Sequence, residues 1–235
     1  MNRQVIKTTT IFILLVLFFF SCNGQKRNAN SGYYGQVKKV TSYSCSVKQG
    51  KLPNDTADYD MKATAIYDSL GNKLEDCELY KSHYNTEILT IYSGTGKNRT
   101  YKTKTIWGAD SSIVENTFKY IWKDDYNFTV ISKNQNDSLD LSATTTLDRK
   151  FRTVETIYKS RGKFAMKDEF KYSGKYEKAL KRTIDEGKSD RVIYTVTVAK
   201  EFDDYGNPIV AYCYDDSAKE HLTAVVFYKY DYYEK

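Results

Sequence analysis

Imidazole chemistry has two residues to draw on in this chain, His83 and His221, and neither stands near a cysteine or at an HxxxH spacing. A serine–histidine–aspartate relay would have to assemble in space, since no nucleophile elbow or other local signature supports one. Three acidic pairs, Asp124-Asp125, Asp203-Asp204 and Asp215-Asp216, have the chemistry to bind a cation or to act on a glycosidic bond. None has the ligand spacing of an EF-hand loop, and solvated turn acids are the simpler reading. Gly94-Thr95-Gly96-Lys97 has the glycines and the lysine of a phosphate cradle, but Asn98 follows where a phosphate loop needs Ser or Thr. No helical pattern follows either, so a hairpin tip is expected there. No catalytic residue, metal site or cofactor is therefore assigned, and no enzymatic activity is expected.

The cysteines carry more. Of the four, Cys22 follows Phe19-Phe20-Ser21 at the end of an apolar run, Ile11 to Phe20, behind Arg3 and Lys7. Ten apolar residues are too few to span a bilayer as a helix and match the hydrophobic region of a signal peptide. Phe19-Phe20-Ser21-Cys22 resembles the lipobox of bacterial outer-membrane lipoproteins, with Phe19 in place of the usual Leu and a large Phe20 beside it. The resemblance implies cleavage before Cys22, diacylglycerol on its thiol and acylation of the new amine. Several acyl chains give stable anchoring where one gives marginal binding. Ordinary cleavage after Gly24 is the alternative. Residues 23–35 are polar and Gly/Asn-rich and read as a flexible tether. Lys26 and Arg27, with no acid nearby, favour a periplasm-facing location at the outer membrane.

Cys45, Cys77 and Cys213 remain, in no CxxC or metal-ligand spacing. An envelope compartment permits disulfides. Cys45 with Cys77 is the first candidate pair, because both lie on early strands expected to be neighbours. Buried thiols acting as small hydrophobes are the alternative.

Whatever these residues do, the elements that position them are β-strands. The chain has 22 Tyr, 2 Pro and 12 Gly in 235 residues, so the core must be thin, aromatic and rich in β-formers. Leu139, Leu141, Ala143, Thr145 and Leu147 share one face of an extended segment. Phe164, Met166, Phe170 and Tyr172 share another, with Asp168 as the polar interruption. Val192, Tyr194, Val196, Val198 and Phe202 form a third, with Lys200 near its exposed end. Turn-formers such as Asn134 to Asp137, Ser160 to Gly162 and Asp185 to Gly187 separate about a dozen such segments. Residues 176–183 are the one stretch compatible with a short helix. The charges are interspersed in a formal net charge of +6, without the basic patch a nucleic-acid binder concentrates. No nucleic-acid partner is expected.

One turn recurs in register. Tyr67-Asp68-Ser69-Leu70-Gly71-Asn72 aligns with Phe202-Asp203-Asp204-Tyr205-Gly206-Asn207. Asp at the first position accepts its own turn's amides, and Gly takes the left-handed conformation of a bulged hairpin. Leu147-Asp148-Arg149-Lys150-Phe151 and Trp107-Gly108-Ala109-Asp110 look like degraded copies. The aromatic-Asp-x-x-Gly-Asn core resembles the YD repeats of Rhs-type proteins and the YDxxGN hairpins of small lipoproteins. That resemblance implies a strongly twisted antiparallel meander and no activity.

The expected organisation is a signal peptide over residues 1–21, a lipidated Cys22 with its tether over 22–35, and one all-β domain over 36–235. The domain is an antiparallel meander forming a twisted or curled sheet. Val226, Tyr228, Tyr230 and Tyr232 would share one face of the last strand. Tyr228, Tyr230 and Tyr232 are the candidate binding surface, either for an envelope protein or a glycan on an exposed sheet face, or as cover for a thin core. A non-enzymatic interaction module is the primary expectation. A carrier holding a lipid or other amphiphile in the curl of the sheet is the alternative. The membrane is met through the N-terminal lipid.

Overall fold

The computed structural model describes residues 32–132, 141–174 and 176–234. The signal peptide, Cys22, most of the tether, Leu139 and the turn at residues 134–137 lie outside the described residues. Fourteen strands follow one another: β1 (Val37–Ser46), β2 (Met61–Tyr67), β3 (Lys73–Tyr80), β4 (Thr86–Ser93), β5 (Thr100–Ile106), β6 (Ile113–Trp122) and β7 (Asn127–Ser132), then β8 (Leu141–Leu147), β9 (Thr153–Ser160), β10 (Lys163–Ser173), β11 (Glu177–Asp185), β12 (Asp190–Phe202), β13 (Pro208–Tyr214) and β14 (Leu222–Tyr232). Each pairs antiparallel with its neighbour in sequence. β14 returns to pair with β1, from Val37 opposite Tyr232 to Ser46 opposite Ala224, and the meander closes into a barrel. Closure removes the two edges an open sheet would leave. Among the described residues no helix is long and apolar enough to cross a membrane.

The region 176–183 is strand, not helix. Glu177 to Asp185 pairs residue by residue with β12 on one side and β10 on the other. Tertiary pairing overrides the local helix propensity of Ala179, Leu180 and Lys181.

Side-chain alternation divides the wall cleanly. Through the registers, Val40, Ala65, Asp76, Thr90, Thr103 and Asn116 share one face with Tyr120, Val130, Ala143 and Tyr158. The same face continues through Asp168, Arg182, Thr195, Cys213 and Tyr228. Tyr101 on β5 and Tyr158 on β9 lie close enough for the second to disfavour ionisation of the first although four strands separate them, so this face is the lumen. The opposite face is charged on β9 to β11 and carries exposed apolar residues, among them Ile91, Ile121 and Tyr194, on other strands. Across β9, β10 and β11, Lys167 Nζ lies 2.9 Å from Glu155 and 3.3 Å from Glu169, and Lys181 reaches Glu169 at 3.6 Å. Lys102, Glu115, Lys119 and Lys229 are exposed on the same outer face.

Two of the expected faces point inward. Ala143 and Thr145 enter the lumen, where Thr145 is buried and within 3.3 Å of the Thr156 hydroxyl. Met166, Asp168, Phe170 and Tyr172 do too, while a register shift after Phe164 separates it from them. The third face is outward: Val192, Tyr194, Val196 and Val198 lie on the outer wall, and Thr195, Thr197 and Ala199 line the lumen. Val196 is buried between Ala179 and Tyr214 on that wall, whereas Val192 and Tyr194 stay exposed. The register shifts around Glu201 take Phe202 out of the alternation, and its ring packs 4.4 Å from that of Tyr176.

Among the described residues the cysteines are unpaired. Cys45 lies on β1 and Cys77 on β3, with β2 between them, so two strand spacings of about 4.8 Å already exceed the roughly 7 Å Cα separation that a disulfide tolerates. Cys45 instead sits buried on the outer wall with its thiol 3.6 Å from the Asp55 carbonyl. Burial, then Asp60 and Asp55, push this thiol above its ordinary value.

The aspartate turns at Asp68, Asp124, Asp148 and Asp203 close the same end of the barrel. In the β2–β3 turn the Asp68 amide donates to Asn72 O at 2.9 Å, and Asp68 Oδ1 accepts from the amides of Leu70 and Asn72 at 2.9 and 2.8 Å. The β12–β13 turn repeats this with Asp203, Tyr205 and Asn207. In the β8–β9 turn Asp148 plays the same part and Phe151 occupies the glycine position at φ +57°. Burial opposes ionisation of Asp68 and Asp148, yet the turn hydrogen bonds outweigh it and hold both carboxyls below the usual range. Asp110 is not a copy: it belongs to the β5–β6 turn at the opposite end, and its Oδ1 accepts from Ser112. Asp124, which reads in sequence as a solvated acid, completes the set by accepting from Tyr126 and Asn127 in the β6–β7 turn. Gly71 and Gly206 take φ of +82° and +86°. Gly206→Val places a β-branched residue there and is expected to cost at least about 1 kcal/mol. Urea unfolding of the variant tests this; an unchanged midpoint contradicts the turn assignment.

Candidate functional site

The chain enters the barrel at the aspartate-turn end. Residues 32–36 lie across this mouth, and Tyr33 drops into the lumen with its ring 6.0 Å from Tyr67 and 5.5 Å from Tyr230, both edge-on. Asn207, 1% exposed, fastens this strap. Its Oδ1 accepts from the Tyr34 amide at 2.8 Å, and its Nδ2 donates to the Tyr34 carbonyl at 2.8 Å and to the Tyr232 hydroxyl at 2.9 Å. The Tyr232 hydroxyl in turn donates to Asp203. Asn72 in the matching turn spends its amide on its own Asp68 instead. Gly35 is required next to this clasp, since a Cβ at its φ of +75° would stand 2.8 Å from the Tyr205 ring.

Beneath the strap, on the β8–β14 side, lies a cavity of about 910 Å³. Tyr33, Tyr172, Tyr176, Tyr228 and Tyr230 supply ring surface, and Thr197, Ala199 and Ala211 give it depth because they are small. Its volume falls within the range of small-molecule sites, roughly 300–1,000 Å³. Burial pushes the Tyr228 and Tyr230 hydroxyls above the ordinary tyrosine value, with neighbouring tyrosines adding to it. They therefore remain neutral donors at any physiological pH.

Tyr228, Tyr230 and Tyr232, which the sequence places together, are indeed on one face. That face is the lumen, and Tyr228 and Tyr230 line the cavity while Tyr232 stacks 4.2 Å from Tyr205 at the mouth. They offer no exposed sheet surface to a protein or glycan partner, because closure of the barrel turns the curled face inward. Phe227, on the alternate position, points outward.

The charged lumen residues escape a sequence reading of this site. Asp168, 2% exposed, receives Arg182 Nε and a terminal guanidinium nitrogen at 2.7 and 2.8 Å, a two-pronged ion pair inside the barrel. At the rim Arg152 binds Asp148 at 2.7 Å and lies 4.2 Å over the Tyr172 ring. Lys178 also enters the cavity, its ammonium 4.4 Å from the Phe170 ring centroid. It is accessible to water in the lumen yet enclosed by protein. Enclosure pulls it below the ordinary lysine value, and nearby Asp168 only partly offsets this. The signal was the alternation of Lys178, Leu180, Arg182 and Ile184, which a helical reading of residues 176–183 hides.

Elsewhere the sequence candidates stay apart. His83 lies in a short 3-10 turn and His221 pairs with Asp215 on the exposed β13–β14 loop, at the end of the barrel away from the cavity. Gly94 and Gly96 form the tip between β4 and β5, where Lys97 binds Asp125 at 2.6 Å.

No family model matches the chain, and no curated protein does. Among solved structures it is similar to a porin-like protein from Bacteroides uniformis, with 12% identity, a TM-score of 0.28, and coverage of 86% of this chain and 100% of that one. A likeness at that level carries no argument about function.

Proposed function

We propose that this protein is a non-enzymatic, lipid-tethered barrel of the bacterial cell envelope that binds a small amphiphile in its lumen. The observation that carries this reading is the ring-lined cavity of about 910 Å³ beneath the strap. It favours the carrier alternative over an interaction module, since the tyrosines that would have made an exposed docking face line the inside. The charged outer face of β9, β10 and β11 supports a barrel standing in water on its tether, because lysine and glutamate at mid-strand are costly against hydrocarbon. In this reading Cys22 carries the lipid and the periplasm-facing leaflet of the outer membrane holds it. The chain path then puts the cavity mouth at the membrane-proximal end, since the tether leads into that mouth.

The test is native mass spectrometry of the lipidated protein after gentle extraction from its own cells, beside the Cys22→Ser variant. A co-purified small molecule released on unfolding is the expected result, with the variant soluble and melting like the parent. An empty lumen together with a stoichiometric protein partner would restore the interaction module. A Cys22→Ser protein that stays membrane-bound after signal cleavage would overturn the anchor.

A further inference from the structure

We infer that the lumen ligand carries a single anionic group that pairs with Lys178, on a body of rings or chain that packs against Tyr33, Tyr172, Tyr228 and Tyr230. This rests on the lumen-binding reading and specifies its chemistry.

The argument is one of charge balance inside the cavity. Each carboxylate near it is already engaged: Asp148 by Arg152, Asp168 by Arg182 and Glu177 by Lys219 at 2.8 Å. Arg152 and Arg182 are thereby neutralised. The Lys178 ammonium has no hydrogen-bond acceptor and no ion-pair partner among the described residues; its contact is the Phe170 ring. Lys150 also lines the cavity, but at the exposed turn of its mouth and not within the lumen. The Lys178 side chain is exposed to lumen water, so its charge stands solvated, and an anion in the adjoining space would gain a charge-assisted contact with it without displacing any protein partner. A cationic ligand would meet a like charge, and a neutral one would leave Lys178 as it stands. The rings suit an apolar body, and the small Ala199 and Ala211 leave depth for it.

Two probes that differ in one group separate the claims. 1-Anilinonaphthalene-8-sulfonate and N-phenyl-1-naphthylamine share the same ring body, and the first alone carries an anion. Both are titrated by fluorescence into the complete, soluble Cys22→Ser chain. The sulfonate is expected to bind more tightly, and Lys178→Met to weaken it by about tenfold to a hundredfold, the worth of a charge-assisted contact. The neutral probe should change less than about twofold in the same variant, and Lys178→Arg should retain sulfonate binding. Ala199→Trp, which fills the cavity, should abolish both; Thr197→Phe does so from the next rung if the tryptophan variant does not fold. Circular dichroism checks every variant. Unchanged sulfonate affinity in Lys178→Met overturns the inference while leaving lumen binding intact. Failure of both probes to bind, or binding that survives a filled cavity, overturns the lumen reading itself.

Discussion

Asn207→Ala is expected to lower the free energy of unfolding by about 3 kcal/mol, more than any other single side-chain truncation at the mouth. The cost does not come from the amide's own burial. It comes from what the amide satisfies: the Tyr34 N–H, the Tyr34 carbonyl and the Tyr232 hydroxyl. Alanine removes one hydrogen bond from each Tyr34 group, while the Tyr232 hydroxyl keeps Asp203, in a site where the asparagine is 1% exposed, and each buried bond lost without replacement costs about 1–3 kcal/mol. Partial relief comes if the strap lifts off, which then appears as lost hydrogen-exchange protection at Tyr34. Asn72→Ala is the control. Its side chain bonds within its own turn, so about 1 kcal/mol is expected, as for other local caps. Equal urea midpoints for the two variants would show that Asn207 does not fasten the strap.

The second large effect is expected at Asp168. Asp168→Ala removes the two-pronged partner of Arg182 and should destabilise the barrel by roughly 2 kcal/mol. That figure lies below the value for a fully buried pair because the Arg182 side chain is 38% exposed to the lumen, where water screens it. The loss measures the orphaned guanidinium more than the worth of the pair. The double variant Asp168→Leu/Arg182→Met should accordingly recover most of the stability. Denaturant unfolding of the parent, both single variants and the double gives the coupling directly. A double variant no more stable than Asp168→Ala would mean that the pair itself, and not the cost of breaking it, holds this part of the wall.

The class of fold was legible because period-two alternation is local: the β8, β10 and β14 patterns need only a few residues each. The aspartate turns were legible for the same reason, with Asp203, Gly206 and Asn207 repeating the chemistry of Asp68, Gly71 and Asn72. What alternation cannot say is which face is inside. On β12 the valines look like core and Thr195, Thr197 and Ala199 like surface, yet the lumen takes the small set, and Thr197 and Ala199 leave room there for the cavity that Lys178 and Tyr228 also line. Closure was likewise invisible, since it depends on the pairing of β1 with β14, residues nearly 200 apart in sequence. The tyrosines of β14 were found and their partners were not: Lys178 and Arg182 sit in a stretch whose local composition favours helix, and only the flanking strands make it extended. The clasp at Asn207 follows from neither turn copy, because its amide is turned outward to a segment of chain that precedes the domain.

The closing pair β1–β14 also sets a kinetic order. Every other strand pairs with its sequence neighbour, so thirteen hairpin-like contacts can form as the chain emerges, and one contact of very long range must wait for the final dozen residues. Until then the molecule is an open sheet with two bare edges, the form most prone to wrong pairing with other chains. Both edges carry charge at that moment: Lys38 and Lys39 on β1, Lys229 and Asp231 on β14. Lys39 and Asp231 then end opposite one another, 4.0 Å apart. The same residues that discourage a stranger's strand thus match when the right one arrives, so that protection during folding and register in the finished ring are one device.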